Sequence, residues 1–171
     1  DLIGREPLDD EMDNDVQFLR DNDVSILSRD SLIYKLQFDT AYVPGDISYK
    51  NAYFNRLYGM VKVRMIEGAS NAYIQNEMGI FLFFYEVDSI AGNLIGAHNN
   101  LINYYRLKDI ISSESLLYND SINIKEMYRR MINNSIYDQI NMNTFNFVNA
   151  AFDNLLFRYP TQNEFNNSYS M

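Results

Sequence analysis

The sequence predicts an all-α fold, an irregular bundle of seven or eight helices. Three observations carry this reading. Apolar residues recur at three- and four-residue spacing, the period of a helix with one buried face. Ser, Thr, Asn and Pro stand ahead of those stretches, where helix starts need them. No two apolar runs are joined by hairpin turn chemistry.

The elements follow in order. Pro7 with Leu8, Asp9, Asp10 and Glu11 reads as a helix start, with acids at the positive end of the dipole, running to about Leu19. Ser28 is read as the cap of a second helix through Leu36, its apolar side made by Leu32, Ile33, Leu36 and Phe38. Val43-Pro44-Gly45-Asp46 breaks the chain. A third helix spans about Ser48 to Ile66. Its apolar stripe is read as Tyr49, Ala52, Tyr53, Leu57, Met60 and Val63, with Lys50, Arg56, Lys62 and Arg64 to the side. Gly68-Ala69-Ser70 ends it.

The fourth helix, about Asn71 to Ile90, is the most apolar, so it is expected at the centre of the bundle. A strand over Ile80 to Val87 is the competing reading, because aromatics favour strands. Gly92 and Gly96 mark a break or a tight crossing. A fifth helix covers about Ala97 to Ile111, a sixth Ser121 to Asn134, and a seventh Phe145 to Phe157 behind Asn143-Thr144. Thr161, with Glu164 three residues on, has the capping-box spacing and opens an eighth. The 171 residues suit a single helical domain, read as a unit of, or a piece cut from, a longer chain.

Composition narrows the function. A net charge of -9 argues against nucleic acid as a partner, which needs clustered Lys and Arg. The absence of Cys excludes disulfides, thiolate metal sites and Cys nucleophiles, and a single His, His98, excludes a multi-His metal site. His98 has no nucleophile-elbow sequence around the nearby Ser112, Ser113 and Ser115. The acids from Asp9 to Asp15 and Asp21-Asn22-Asp23 lack the Gly and Glu of a calcium loop, and read as solvated helix ends. Glu67, Glu77 and Glu86 stand in the apolar middle. Without a Glu-x-x-His partner they read as ion-pair partners of Arg64, Arg106 or Arg129, with a glycosidase carboxylate pair as the remaining catalytic option. Phosphate-loop and dinucleotide motifs are absent. The inventory predicts no catalytic residue, no cofactor and no metal. The longest apolar run, Met78 to Tyr85, falls short of the roughly 20 residues that span a bilayer. The 14 Tyr make a glycan-binding module the alternative function. Tyr53, Tyr58, Tyr104, Tyr105 and Tyr118 fall near apolar stripes, where core or interface is the default role.

Two stretches align without gaps. Asp1-Leu2-Ile3-Gly4-Arg5-Glu6-Pro7-Leu8-Asp9-Asp10-Glu11 matches Asn154-Leu155-Leu156-Phe157-Arg158-Tyr159-Pro160-Thr161-Gln162-Asn163-Glu164. Each reads as a corner between helices. Arg5 and Arg158 are expected to hold carbonyls of the preceding helix or Glu11 and Glu164, with Pro7 and Pro160 starting the next helix. Arg158 is expected to matter more than Arg5. The pattern Leu-x-x-Arg-x-Pro-Thr-x-x-Glu resembles the helical domains that accompany planctomycete-type cytochrome c modules, and secreted helical modules of the Leu-x-Arg-x-Pro-Asp type. Arg29-Asp30-Ser31-Leu32-Ile33-Tyr34-Lys35-Leu36 stands where those families carry a basic-acidic helix. The resemblance implies a secreted helical module. No Cys-x-x-Cys-His occurs, so no haem function carries over.

Asp followed by Ser or Thr and then an aliphatic or small apolar residue occurs four times, which makes Ser31, Thr40, Ser89 and Ser121 candidate O-glycosylation sites. The pattern resembles the Bacteroidetes-type general O-glycosylation sequon of exported proteins. The combined expectation is a non-enzymatic subunit of a bacterial envelope assembly. It would be periplasmic or at the cell surface, lipid-anchored ahead of Asp1, and partnered by other envelope proteins in a larger membrane-associated complex.

Overall fold

The computed structural model describes residues 2–41 and 47–169. The break read at Val43 to Asp46 lies outside them. Among the described residues the chain is all-helical, with nine helices: α1 (Asp9–Asp21), α2 (Ile26–Phe38), α3 (Tyr49–Ile66), α4 (Asn71–Ala91), α5 (Leu94–Tyr118), α6 (Ile124–Ile132), α7 (Ser135–Asn141), α8 (Thr144–Leu156) and α9 (Gln162–Tyr169). Where the length suits one domain, the chain divides into two compact units, 1–58 and 59–171, with the boundary inside α3.

In the first unit α1 packs on α2. Ser25, not Ser28, caps α2: its hydroxyl accepts the Ser28 N–H at 3.2 Å, and Ser28 is buried one turn in. A Ser three residues downstream had the same local signal, and the added turn Ile26-Leu27 is what separates the two positions. The first half of α3 contributes the buried side chains Tyr49, Ala52, Phe54 and Tyr58.

The second unit is built on α5, which is longer than the sequence suggests because its C-terminal turns bury Ser113 and Leu117. Leu107 and Ile110 of α5, Met127 and Met131 of α6 and Tyr137 of α7 are fully enclosed. The helix read from Ser121 to Asn134 is α6, and a further short helix, α7, follows it that the sequence reading leaves out. Asn134, 1% exposed, separates the two. Its amide nitrogen donates to the Arg130 and Met131 carbonyls that end α6, both at 2.9 Å. Its amide oxygen accepts the Ile136 and Tyr137 N–H groups that start α7, both at 3.0 Å. One side chain therefore satisfies both helix ends, which is why a buried Asn is tolerated there.

Two face assignments change. Tyr49 and Ala52 of the stripe read in α3 are buried, but from there the buried side runs through Phe54, Tyr58 and Val61, one residue on from Tyr53, Leu57 and Met60, and on to Met65, while Met60 and Val63 are exposed at 42% and 65%. A one-residue shift turns the face by about 100°. Lys62 moves inside with it. The helix α4 is not central. Its buried side chain is Ile74, and Phe83, Phe84, Val87 and Ile90 are exposed. A helix apolar on all sides gives no sequence signal for the side that packs.

Candidate functional site

The two corners share one set of hydrogen bonds. In the first, Arg5 Nη1 and Nη2 clasp Glu11 Oε2 and Oε1 at 2.7 and 2.8 Å, and Nη1 also donates to the Glu6 carbonyl at 3.0 Å. Glu11 Oε2 accepts the Leu8 N–H at 2.8 Å. In the second, Arg158 clasps Glu164 at 2.9 and 2.7 Å and reaches the Tyr159 carbonyl at 3.0 Å. Glu164 Oε2 accepts the Thr161 N–H at 2.8 Å. Gly4 and Phe157, at matching places, are both left-handed, with φ of 74° and 56°. Pro7 and Pro160 lead into α1 and α9 in the same way, since neither has an N–H to leave unpaired.

The carbonyls that end α8 go to a different arginine. Arg64 of α3 donates to the Asp153 and Asn154 oxygens at 2.6 and 3.2 Å and lies over the Phe157 ring at 4.3 Å. Burial also reverses the expected ranking of the corners. The side chains of Arg5 and Glu11 are 20% and 12% exposed, those of Arg158 and Glu164 47% and 38%. Tyr49 covers the first corner and donates to Glu11 Oε1 at 2.6 Å. Burial, and then the Glu11 carboxylate, push the Tyr49 hydroxyl up. The bidentate Arg5 holds Glu11 at a pKa of about 2, helped by Tyr49 and the Leu8 amide. Arg158 and then the Thr161 donors do the same for Glu164.

The acids of the apolar middle are not paired as read. Arg64 turns to α8, while Arg129 and Arg130 both bind Glu126, which they hold at about 2. Glu67 ends α3 with a φ of 52° and is exposed. It lines a cavity of about 350 Å³ with Ile66, Tyr73, Ile136 and Gln139. Glu86 is exposed on α4 and Glu77 half-buried. His98 is exposed on α5. The hydroxyls of Ser112, Ser113 and Ser115 donate to carbonyls of their own helix. A second titratable group was missed in the sequence: Lys62 is buried, donates to Asn71 Oδ1 at 2.9 Å, and is pushed down by that burial. Its signal, a Lys one helical step from an apolar stripe, is the same as that of a solvated lysine. Among the described residues no group of three acids or His could hold a metal. An apolar groove of about 370 Å³ in the first unit runs between Leu2, Met12, Val16 and Leu36, with its two charged walls, Arg5 and Asp15, bound to Glu11 and Lys35.

The four candidate glycosylation positions are exposed. Thr40 and Ser121 lie in loops. Ser31 and Ser89 lie within α2 and α4, and the Ser31 hydroxyl donates to the Leu27 carbonyl at 2.8 Å. Of the tyrosines, Tyr58 is core, whereas Tyr105 is 53% exposed and meets Tyr104 edge-on.

An exposed surface of the second unit is apolar. It starts on α4 and continues over the turn into α5, with Phe83, Ile90, Leu94 and Ile95 at 60%, 88%, 76% and 78% exposure. The turn beneath it is tied by its own caps and hydrogen bonds. Gly92 caps α4 at φ 75°, Asn93 caps α5, and Asp88 accepts from Asn93 and Asn100 at 3.0 and 2.9 Å. Gly96 leaves room for those groups, since a Cβ there would collide with both Asn93 and Asp88. No helix of the described residues is long and apolar enough to cross a membrane. Comparison with protein-family models, curated proteins and solved structures finds no match to this chain.

Proposed function

We propose that this chain is a non-enzymatic helical interaction module of a bacterial envelope assembly, exported to the periplasm or cell surface. The observation that carries the reading is the exposed apolar surface of α4 and its turn. Apolar side chains in contiguous array on a water-facing helix mark a contact surface more often than a lone exposed residue does. The hydrogen-bonded Asp88–Asn93–Asn100 turn sets the path of that surface in the chain itself, and an interface formed in advance has less ordering cost on binding. Arg5, Arg64 and Arg158, with Glu11 and Glu164, are taken up at corners and helix ends, consistent with a structural part. The exposed Asp-Ser and Asp-Thr positions support export.

The test is purification from native envelopes, by solubilised complex size and mass spectrometry. The wild-type chain is expected in an assembly well above its own 20.1 kDa. A variant with Ile80→Ser, Phe83→Ser and Val87→Ser is expected to run as the free chain with unchanged helicity. An unchanged assembly in that variant overturns the reading. Glycan mass on peptides containing Thr40 or Ser121, lost on Thr40→Ala or Ser121→Ala, tests export.

A glycan-binding module is the second reading, on one observation. Phe165 and Tyr169 stack at 5.6 Å and 23° on α9, and Tyr169 is 55% exposed, an aromatic surface of the kind that takes a sugar face. Oligosaccharide binding lost in Tyr169→Ala, with the envelope assembly intact, would favour it.

A further inference from the structure

The exposed side of α4 carries a regular stripe: Tyr73, Asn76, Ile80, Phe83, Val87 and Ile90. The steps between them alternate three and four. A stripe of mean period 3.5 drifts around a straight helix and stays in register only with a second helix wound against it. It runs about 26 Å, close to five turns. The opposite side of α4 is already taken: Ile74 is buried and Asp88 bonds Asn100 along the contact with α5. Among the described residues α4 packs chiefly along α5, with its first turn also meeting Lys62 of α3 through Asn71, and its outer face leaves a seam for another helix.

The charges beside the seam select its occupant. Glu77 and Glu86 flank it, and no Lys or Arg stands between Arg64 and Arg106. A second copy would bring a like-charged chain of -9 and no cation on the matching helix. An anionic lipid surface meets the same repulsion. A helix with Lys or Arg beside its own apolar stripe finds acids across the seam, the arrangement that sets partner choice in coiled coils. Asn76 is the polar residue in an otherwise apolar seam, the kind that fixes register by demanding a polar group opposite.

We propose that the outer face of α4 is a coiled-coil seam for one basic amphipathic helix of a partner protein. It presents apolar residues at three–four spacing to Tyr73, Ile80, Phe83, Val87 and Ile90, Lys or Arg to Glu77 and Glu86, and a polar residue to Asn76. This rests on the interaction-module reading and names the partner's chemistry.

The experiment is a fluorescence-anisotropy titration of the whole chain with two labelled helical peptides. Both carry Leu on the apolar stripe with one Asn. One has Lys on both flanks, the other Glu. The Lys peptide is expected to bind at least about tenfold more tightly, a difference of roughly 1.4 kcal/mol. Phe83→Ser, which leaves the charge unchanged, is expected to weaken the Lys peptide by at least about tenfold with the melting temperature and far-UV dichroism held. Glu77→Gln with Glu86→Gln is expected to narrow the preference. Full binding of the Lys peptide by Phe83→Ser overturns the seam, because the attraction is then net charge alone. Equal binding of both peptides, lost in Phe83→Ser, overturns the basic partner and leaves the interaction module standing. A wild-type dimer in sedimentation that Phe83→Ser dissolves gives the face to a second copy, and binding to zwitterionic phosphatidylcholine vesicles lost in the same variant gives it to a bilayer. Either result overturns the proposal. An unchanged native assembly in the triple serine variant removes the module itself.

Discussion

The corners at Arg5 and Arg158 are nearly one motif built twice, and they differ in what surrounds them. Each has the bidentate Arg–Glu clasp, the amide held by the same carboxylate, and the left-handed residue ahead of the Arg. The first is covered by Tyr49, with Arg56 and Lys35 close by, whereas the second stands open to water. Identical local bonds therefore carry unequal weight, because an ion pair in water exchanges one set of polar contacts for another, while a covered one leaves its partner stranded when broken.

The largest expected effect comes from removing that partner. Arg5→Ala strands the Glu11 carboxylate beneath Tyr49 and is expected to cost about 2–3 kcal/mol, lowering the melting temperature by roughly 4–10 °C. Arg158→Ala is expected to stay close to wild type in the same calorimetric scan. Equal losses would show that the covering residues contribute nothing. The next contrast uses the left-handed position. Gly4→Ala puts a Cβ 2.9 Å from Arg56 Cδ at a φ of 74° and is expected to cost about 1–2 kcal/mol by chemical denaturation. Phe157→Gly relieves the same backbone strain but gives up the Arg64 stack, so its denaturation midpoint is expected to move little.

Acid separates the corners more gently. Both glutamates have folded pKa values of about 2, below the ordinary 4.5. The stabilisation is therefore full above pH 4.5 and is lost as pH falls toward 2. In about 1 M salt the open Glu164 is expected to titrate closer to 4.5, while Glu11 stays low, as read from side-chain carboxyl shifts by NMR. A common rise would mean that Tyr49 does not shield Glu11. The smallest effect concerns the cap. Thr161 Oγ1 donates to Glu164 at 2.8 Å, whereas Leu8 has no oxygen to offer at the matching place. Leu8→Thr is expected to stabilise the first corner by about 0.5 kcal/mol, seen as a small rise in melting temperature.

Much of the helical layout is readable without coordinates. The starts at Tyr49 and Asn71, the Asn143 cap and the Glu164 capping spacing depend on residues within one turn of each other, and the helices stand there. The clasps of Arg5 and Arg158 span six residues, so their geometry is also set by spacing along the chain. The end of the sixth helix at Asn134 was readable, but the helix α7 that restarts behind it was not, since Asn caps a new helix there only because its amide oxygen finds the Ile136 and Tyr137 N–H groups.

What tertiary structure alone decided is which side of each element meets something. From Phe54 on, the buried face of α3 lies one residue from its apparent stripe, and Lys62 is inside because the chain packs there. On α4 almost every side is apolar, so the sequence determines a helix and leaves its direction open. The physical reason is range. Caps, turns and corner bonds form between neighbours in the chain, whereas burial depends on elements that arrive from far along it. The first unit covers Arg5 through Tyr49, 38 residues after Glu11, and no local pattern announces that contact.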